Sequence, residues 1–141
     1  MRYLLDTCIF IHFATDQDLL SKDVYAILDD SENTLCISVE TVRELVIQFN
    51  KGKLVSKFWK SADEMINSIK DEYFIDILPL KEEHMRTYGN LRINTAQDHN
   101  DPSDHVIIAH AITNRIPLIS DDGKFGFYRN QGLELIENKK R

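Results

Sequence analysis

Short apolar runs of strand length, most of them separated by helix-period segments, constrain this chain more than any other feature. They are "YLL" before Asp6, "LCIS" at 35–38, "FIDIL" at 74–78, "PLIS" at 117–120 and "LELI" at 133–136. Around "SKFWKSADEMINSIKDEY" the apolar residues Val55, Phe58, Trp59, Ala62, Met65, Ile66, Ile69 and Tyr73 follow i, i+3, i+4, i+7 spacing. That spacing predicts a helix over 56–73, with Trp59 and Met65 as packing residues. Segment 39–50 carries a second stripe through Val42, Leu45, Val46 and Phe49, capped by Ser38. Segment 103–114 carries a third, and its "VIIAHAI" is apolar almost all round, which predicts a helix lying deep between the sheet and another layer. The alternation predicts an α/β fold with a mainly parallel sheet and right-handed crossovers.

With 141 residues, a single domain over 1–141 is expected. Its 43% hydrophobic and 28% charged content is that of a soluble globular chain, without linker, repeat or low-complexity tract. Disorder is expected only at the tail "NKKR". No apolar run approaches a membrane span, and "MRYLLDTCIF" meets Asp6 too early for a signal peptide, so a cytoplasmic protein is expected. Cys8 and Cys36 lack metal-type spacing and read as buried small hydrophobes. The net charge of −6 argues against broad adhesion to nucleic acid, yet bound divalent cations would cancel several negative charges where a substrate sits.

The positions of the acids sharpen this picture. Ligands of open parallel sheets bind outside the carboxyl ends of the strands. Asp6 follows the first strand, Asp121 and Asp122 follow "PLIS", and Glu44 lies about two turns into the helix after "LCIS". In "NDPSDHVIIAHA", Asp101 reads as an N-cap, Pro102 as the first helical residue and Asp104 as the third. Asp104 therefore has two readings, an acid serving its own helix or a metal ligand. Glu44 also has two, because Thr41-x-x-Glu44 fits a capping box while Thr41, Glu44 and Gln48 form a row opposite the apolar stripe. Carboxylates gathered at one sheet edge must hold protons or recruit cations, and oxygen ligands suit Mg²⁺ or Mn²⁺.

These segments resemble the PIN domains of VapC-type toxins from toxin–antitoxin pairs. "YLLDTCIFI" is similar to that family's strand-Asp-Thr opening and "SVETVREL" to its Ser-x-x-Thr-x-x-Glu-Leu segment. "HNDPSDHVIIAHA" is similar to its His-x-Asp-Pro-x-Asp helix start, and "PLISDDGKF" to its last-strand Ser/Thr-x-Asp segment. The resemblance implies a three-layer α/β/α sandwich and a Mg²⁺- or Mn²⁺-dependent ribonuclease acting on RNA. It also implies a cognate antitoxin partner and a homodimer. It assigns catalytic and metal-site roles to Asp6, Glu44, Asp104 and Asp122, with Thr7 and Ser120 as polar support and Asp101 and Asp121 as lesser candidates. The register of "PLISDDGKF" favours Asp122 over Asp121. Ser103 stands where the family commonly has an aromatic, and His105 where it commonly has an arginine.

Other classes fit less well. A receiver-like Mg²⁺-binding signalling domain needs an acid pair at the first strand end, a phosphoacceptor Asp ending the middle strand and a Lys ending a later one. Here Asp6 stands alone, Asp76 lies inside "FIDIL", and acids follow "PLIS". A catalytically silent interaction module would not require all four acids. The histidines at 12, 84, 99, 105 and 110 lack an i, i+4 zinc pair with a glutamate. His110 reads as a satisfied core histidine; His99 and His105 have two readings, a surface placement or an approach to a phosphate, and Lys51, Lys53, Lys57 and Lys60 read as a solvated face by default, with RNA contact as the lesser alternative.

Overall fold

The computed structural model describes residues 1–53 and 59–139. Its sheet contains β1 (Arg2–Leu5), β2 (Thr34–Ser38), β3 (Asp76–Leu78), β4 (Leu118–Ser120) and β5 (Leu135–Glu137). All neighbours pair in parallel, in the order β3-β2-β1-β4-β5. Leu4 is held between Cys36 and Leu118, so β1 is the central strand. Its neighbours are β2 and β4, which departs from the 2-1-3-4-5 order of receiver-type sheets.

Helices cover both faces, because side chains alternate along every strand. Leu5, Leu35, Ile37 and Ile119 face one layer, where they pack with Ile9 and Phe10 of α1 (Thr7–Thr15) and Val24 and Leu28 of α2 (Lys22–Asp29). Val42 and Leu45 of α3 (Val39–Asn50) and Met65 and Ile69 of α4 (Ala62–Asp71) complete that core. Leu4, Cys36 and Leu118 face the other layer, against Ile107, Ile108 and Ala111 of α6 (Pro102–Asn114) and Phe125 and Tyr128 of a 3-10 helix (Gly123–Gln131). Helix α5 (Glu82–Gly89) packs on α6. The result is the expected three-layer α/β/α arrangement, with α6 buried nearly all round.

Local chemistry sets the helix starts. Ser38 caps α3 by accepting from Glu40 N, as expected, and Thr41 is therefore an interior residue rather than a cap. The helix anticipated over 56–73 begins only at Ala62, where Ser61 takes an extended conformation and accepts from Glu64 N. Trp59 is buried in the core as anticipated but is not helical, and residues 54–58 lie outside the described residues. Cys36 is buried, whereas Cys8 is exposed because its α1 position faces away from the sheet. Asn138 is buried rather than disordered, since its amide accepts from Ser21 N and donates to Leu19 O. Lys51, Lys53 and Lys60 are exposed, and Lys57 lies outside the described residues. Among the described residues no helix is long and apolar enough to cross a membrane.

Candidate active site

The sheet order reverses direction between β1 and β4, and a crevice at such a switch point is where open α/β sheets place their ligands. Asp6 stands immediately beyond β1 and caps α1, its Oδ1 accepting from Thr7 N at 2.8 Å. Ser120, the last residue of β4, donates its hydroxyl to Asp6 Oδ2 at 2.8 Å. Asp6 is only 5% exposed, and burial pushes its carboxyl up to about 7, with the nearby charges of Asp104 and Glu44 adding to the rise.

Thr7 connects this corner to α3. Its hydroxyl donates to Glu44 Oε1 at 2.6 Å and lies 3.2 Å from the Thr41 hydroxyl. Glu44 therefore turns toward the crevice, in the row with Thr41 read from the sequence, and its carboxyl is also raised by burial. Asp101 is the N-cap of α6, accepting from Ser103 N at 3.0 Å, so the capping role belongs to Asp101 and not to Asp104. Asp104 faces inward from the first turn, and burial together with the charges of Asp101, Glu44 and Asp122 pushes its carboxyl up to about 7.

Asp121 and Asp122 point in different directions. Asp121 contacts His12 Nε2 at 2.6 Å and the Asn138 amide, tying the end of β4 to α1 and to the residue after β5. Asp122 caps the 3-10 helix by accepting from Lys124 N at 2.9 Å, and it faces Asp104. Among the described residues, ligand atoms of His99, Asp104 and Asp122 lie within 4.8 Å of one another. Asp6 and Glu44 are not in that group; they meet the site through Thr7, Ser120 and the coupling of their charges.

The sequence reading missed the environment of the histidines. His99 and His105 are buried rather than exposed. His105 Nε2 bonds to His99 O at 2.8 Å, and burial lowers both rings' affinity for a proton. His99 contacts Tyr128 and Asp104, and the only sequence signal for this was its place in the His-x-Asp-Pro-x-Asp segment. His110 is buried and its Nδ1 bonds to Ser38 Oγ at 2.8 Å, but its Nε2 has no partner among the described residues, so it is half satisfied. Ser103, in place of an aromatic, is buried and donates to Glu40 Oε2 at 2.8 Å; Glu40 in turn holds Arg43.

A sequence model of the PIN domain family matches residues 3–131. Among curated proteins the sequence finds no significant match. Among solved structures, the chain resembles VapBC2 from Rickettsia felis bound to a DNA fragment from their promoter, at 22% identity and a TM-score of 0.71, covering 99% of this chain and 100% of that one. It resembles VapBC-1 from nontypeable Haemophilus influenzae at 25% identity and a TM-score of 0.63, with coverage of 99% and 100%. DNA-bound VapBC from Salmonella typhimurium gives 16% identity, a TM-score of 0.68 and coverage of 99% on both sides. A matching family model over most of the chain and a shared fold lead to one conclusion: the chain belongs to the PIN domain family of nucleases.

Proposed function

We propose that this protein is a divalent-cation-dependent endoribonuclease, the toxin of a toxin–antitoxin pair acting in the cytoplasm. The observation that supports the reading is a chain of neighbouring acids: Asp104 and Asp122 bring ligand atoms within 4.8 Å of each other, Thr7 bonds both Asp6 and Glu44, and the charges of Asp104 and Glu44 help push Asp6 up to about 7, as burial does for Asp104. Asp6 and Asp104, pushed up to about 7, are partly protonated at neutral pH unless a cation takes the proton's place. An oxygen-rich, anionic donor set suits a hard ion, so these four residues fit Mg²⁺ or Mn²⁺. Bound there, such an ion supplies a water of lowered pKa and positive charge to offset that of the leaving oxygen.

The chain's own residues prepare that site. Ser120 and Thr7 N hold both oxygens of Asp6, and Thr7 Oγ1 fixes Glu44. Lys124, exposed beside Asp122 and electrostatically coupled to Asp104, is placed to meet a substrate phosphate. Purified protein should cleave RNA with Mg²⁺ or Mn²⁺, stop with a chelator, and leave 5′-phosphate and 3′-hydroxyl ends. Cleavage indifferent to chelation, or 2′,3′-cyclic ends, refutes the mechanism.

The partner reading rests on the likeness to VapBC assemblies and on the acidity of the crevice, which suits a basic side chain, an arginine above all, as a plug. Expression alone should slow growth, and co-expression with a neighbouring antitoxin gene should restore it. A homodimer belongs to the same proposal, and its test is the mass of the purified protein in solution.

A further inference from the structure

The 3-10 helix and the loop before α6 meet at a chain of buried polar contacts that ends on Asp104. Asn94 N donates to the Tyr128 hydroxyl oxygen at 3.1 Å. The Tyr128 oxygen accepts that bond; an ionised Asp104 can only accept, so its contact with His99 Nε2 selects the neutral tautomer whose Nδ1, 2.9 Å from the Tyr128 oxygen, receives the phenol's proton. A ring that accepts at Nδ1 carries its proton at Nε2, and that atom is 3.0 Å from Asp104 Oδ2. All three supporting residues are buried: Asn94 is 1% exposed, Tyr128 0% and His99 3%.

The surroundings allow little movement. Asn94 Nδ2 bonds to Lys124 O, His99 N bonds to Asn94 O, and His105 Nε2 holds His99 O. The His99 ring packs edge-on against His105 at 4.9 Å and against Tyr128 at 5.5 Å. Asp98 adopts the left-handed φ of 53° that brings the chain round to this position, a conformation aspartate tolerates better than most residues.

We propose that His99 is a positioning residue of the metal site: fixed by Tyr128, it holds one oxygen of Asp104 and leaves the other for a divalent cation shared with Asp122. The inference deepens the nuclease reading and rests on it. In the tautomer that bonds an ionised Asp104, Nε2 carries the ring's proton, so His99 acts through Asp104 and not as a ligand. Partners of this kind, one step outside a metal's own ligands, typically contribute about 10–100-fold to its affinity.

The experiment measures Mn²⁺ binding by electron paramagnetic resonance, independently of cleavage, for wild type, His99→Ala, His99→Gln and Tyr128→Phe, with circular dichroism as the check on folding. Expected is a loss of about 10–100-fold in affinity for His99→Ala, a smaller loss for Tyr128→Phe, and recovery of most of the affinity in His99→Gln, whose amide can donate to Asp104. If His99→Ala does not fold, Tyr128→Phe and His99→Gln carry the test, since both nearly preserve volume. Wild-type affinity in a folded His99→Ala or in Tyr128→Phe overturns the inference, as does nitrogen hyperfine coupling to Mn²⁺ in the wild type, which would make His99 a direct ligand. A wild type that binds no Mn²⁺ overturns the metal-site reading itself, and this inference with it.

Discussion

Ser120 Oγ donates to Asp6 Oδ2 at 2.8 Å, across the seam where β4 joins β1, and it does so inside the protein with both residues buried. The bond lowers the pKa of a carboxyl that burial raises, opposing the effect of burial without cancelling it. Ser120→Ala should therefore raise the Asp6 pKa further and move the acid limb of the cleavage–pH profile upward. An unshifted limb would remove Asp6 from control of that profile.

Stability without metal should fall as pH rises from about 6.5 to 8. Asp6 and Asp104, about 7 in the folded chain and near the ordinary carboxylate value of about 4 when unfolded, bind more protons folded than unfolded in this range. Their stabilising protons are present below the unfolded value and are lost as pH rises through the folded one, which over this interval amounts to about 1–2 kcal/mol for the two groups together. Below 6.5 the trend is opposed by His110, which burial lowers to about 4 and whose neutral form is favoured by folding. Mg²⁺ holds the carboxylates ionised, so its stabilisation should grow over the same interval. Thermal melts with chelator and with Mg²⁺ check both slopes, and a metal-free Tm that rises from pH 6.5 to 8 contradicts them.

Asp101 and Asp104 should separate cleanly. Asp101→Ala removes the α6 cap and should cost about 0.5–2 kcal/mol, while the Mg²⁺ stabilisation persists. Asp104→Asn forfeits about 0.3–1 kcal/mol of favourable interaction with the helix dipole. It also relieves the repulsion from Asp101, Glu44 and Asp122, the larger effect for so buried a carboxyl. At pH 8 the metal-free Asp104→Asn protein should be at least as stable as wild type, gain little from Mg²⁺ and cleave nothing. A mutant that is less stable yet gains normally from Mg²⁺ would return Asp104 to its helix.

The adjacent acids after β4 offer a second contrast. Asp121→Asn weakens the contacts with His12 and Asn138 and should lower Tm while cleavage per folded molecule persists. Asp122→Asn should abolish cleavage and Mg²⁺ stabilisation with a smaller change in the metal-free melt. The opposite pattern would exchange their roles.

Much of this was legible because strand ends and caps are local. "YLL" followed by Asp6, Ser38 before α3 and Asp101-Pro102 before α6 each signal their structure within a few residues. Trp59 misled because a buried loop residue can fall on a helical stripe: the pattern reports burial, and Ser61 decides where the helix begins. The strand anticipated at 133–136 lies at Leu135–Glu137, the shift being set by pairing with β4 rather than by its own residues. His99 escaped for a different reason. Its partner Tyr128 is distant in the chain and brought close only by the packing of the 3-10 helix on α6, which no periodicity announces.

The central place of β1 has a consequence for biosynthesis. Asp6 leaves the ribosome with the first strand, but its neighbour β4 and Asp122 follow only after α6 has been made. At about 5–20 residues per second, the growing chain carries Asp6 for on the order of ten seconds before Asp122 exists. Throughout that interval a nascent chain has the beginning of a cleft and no second wall. Under the proposed nuclease activity, a chain still being translated through these residues has no complete site, and its cutting begins only once β4 docks on β1.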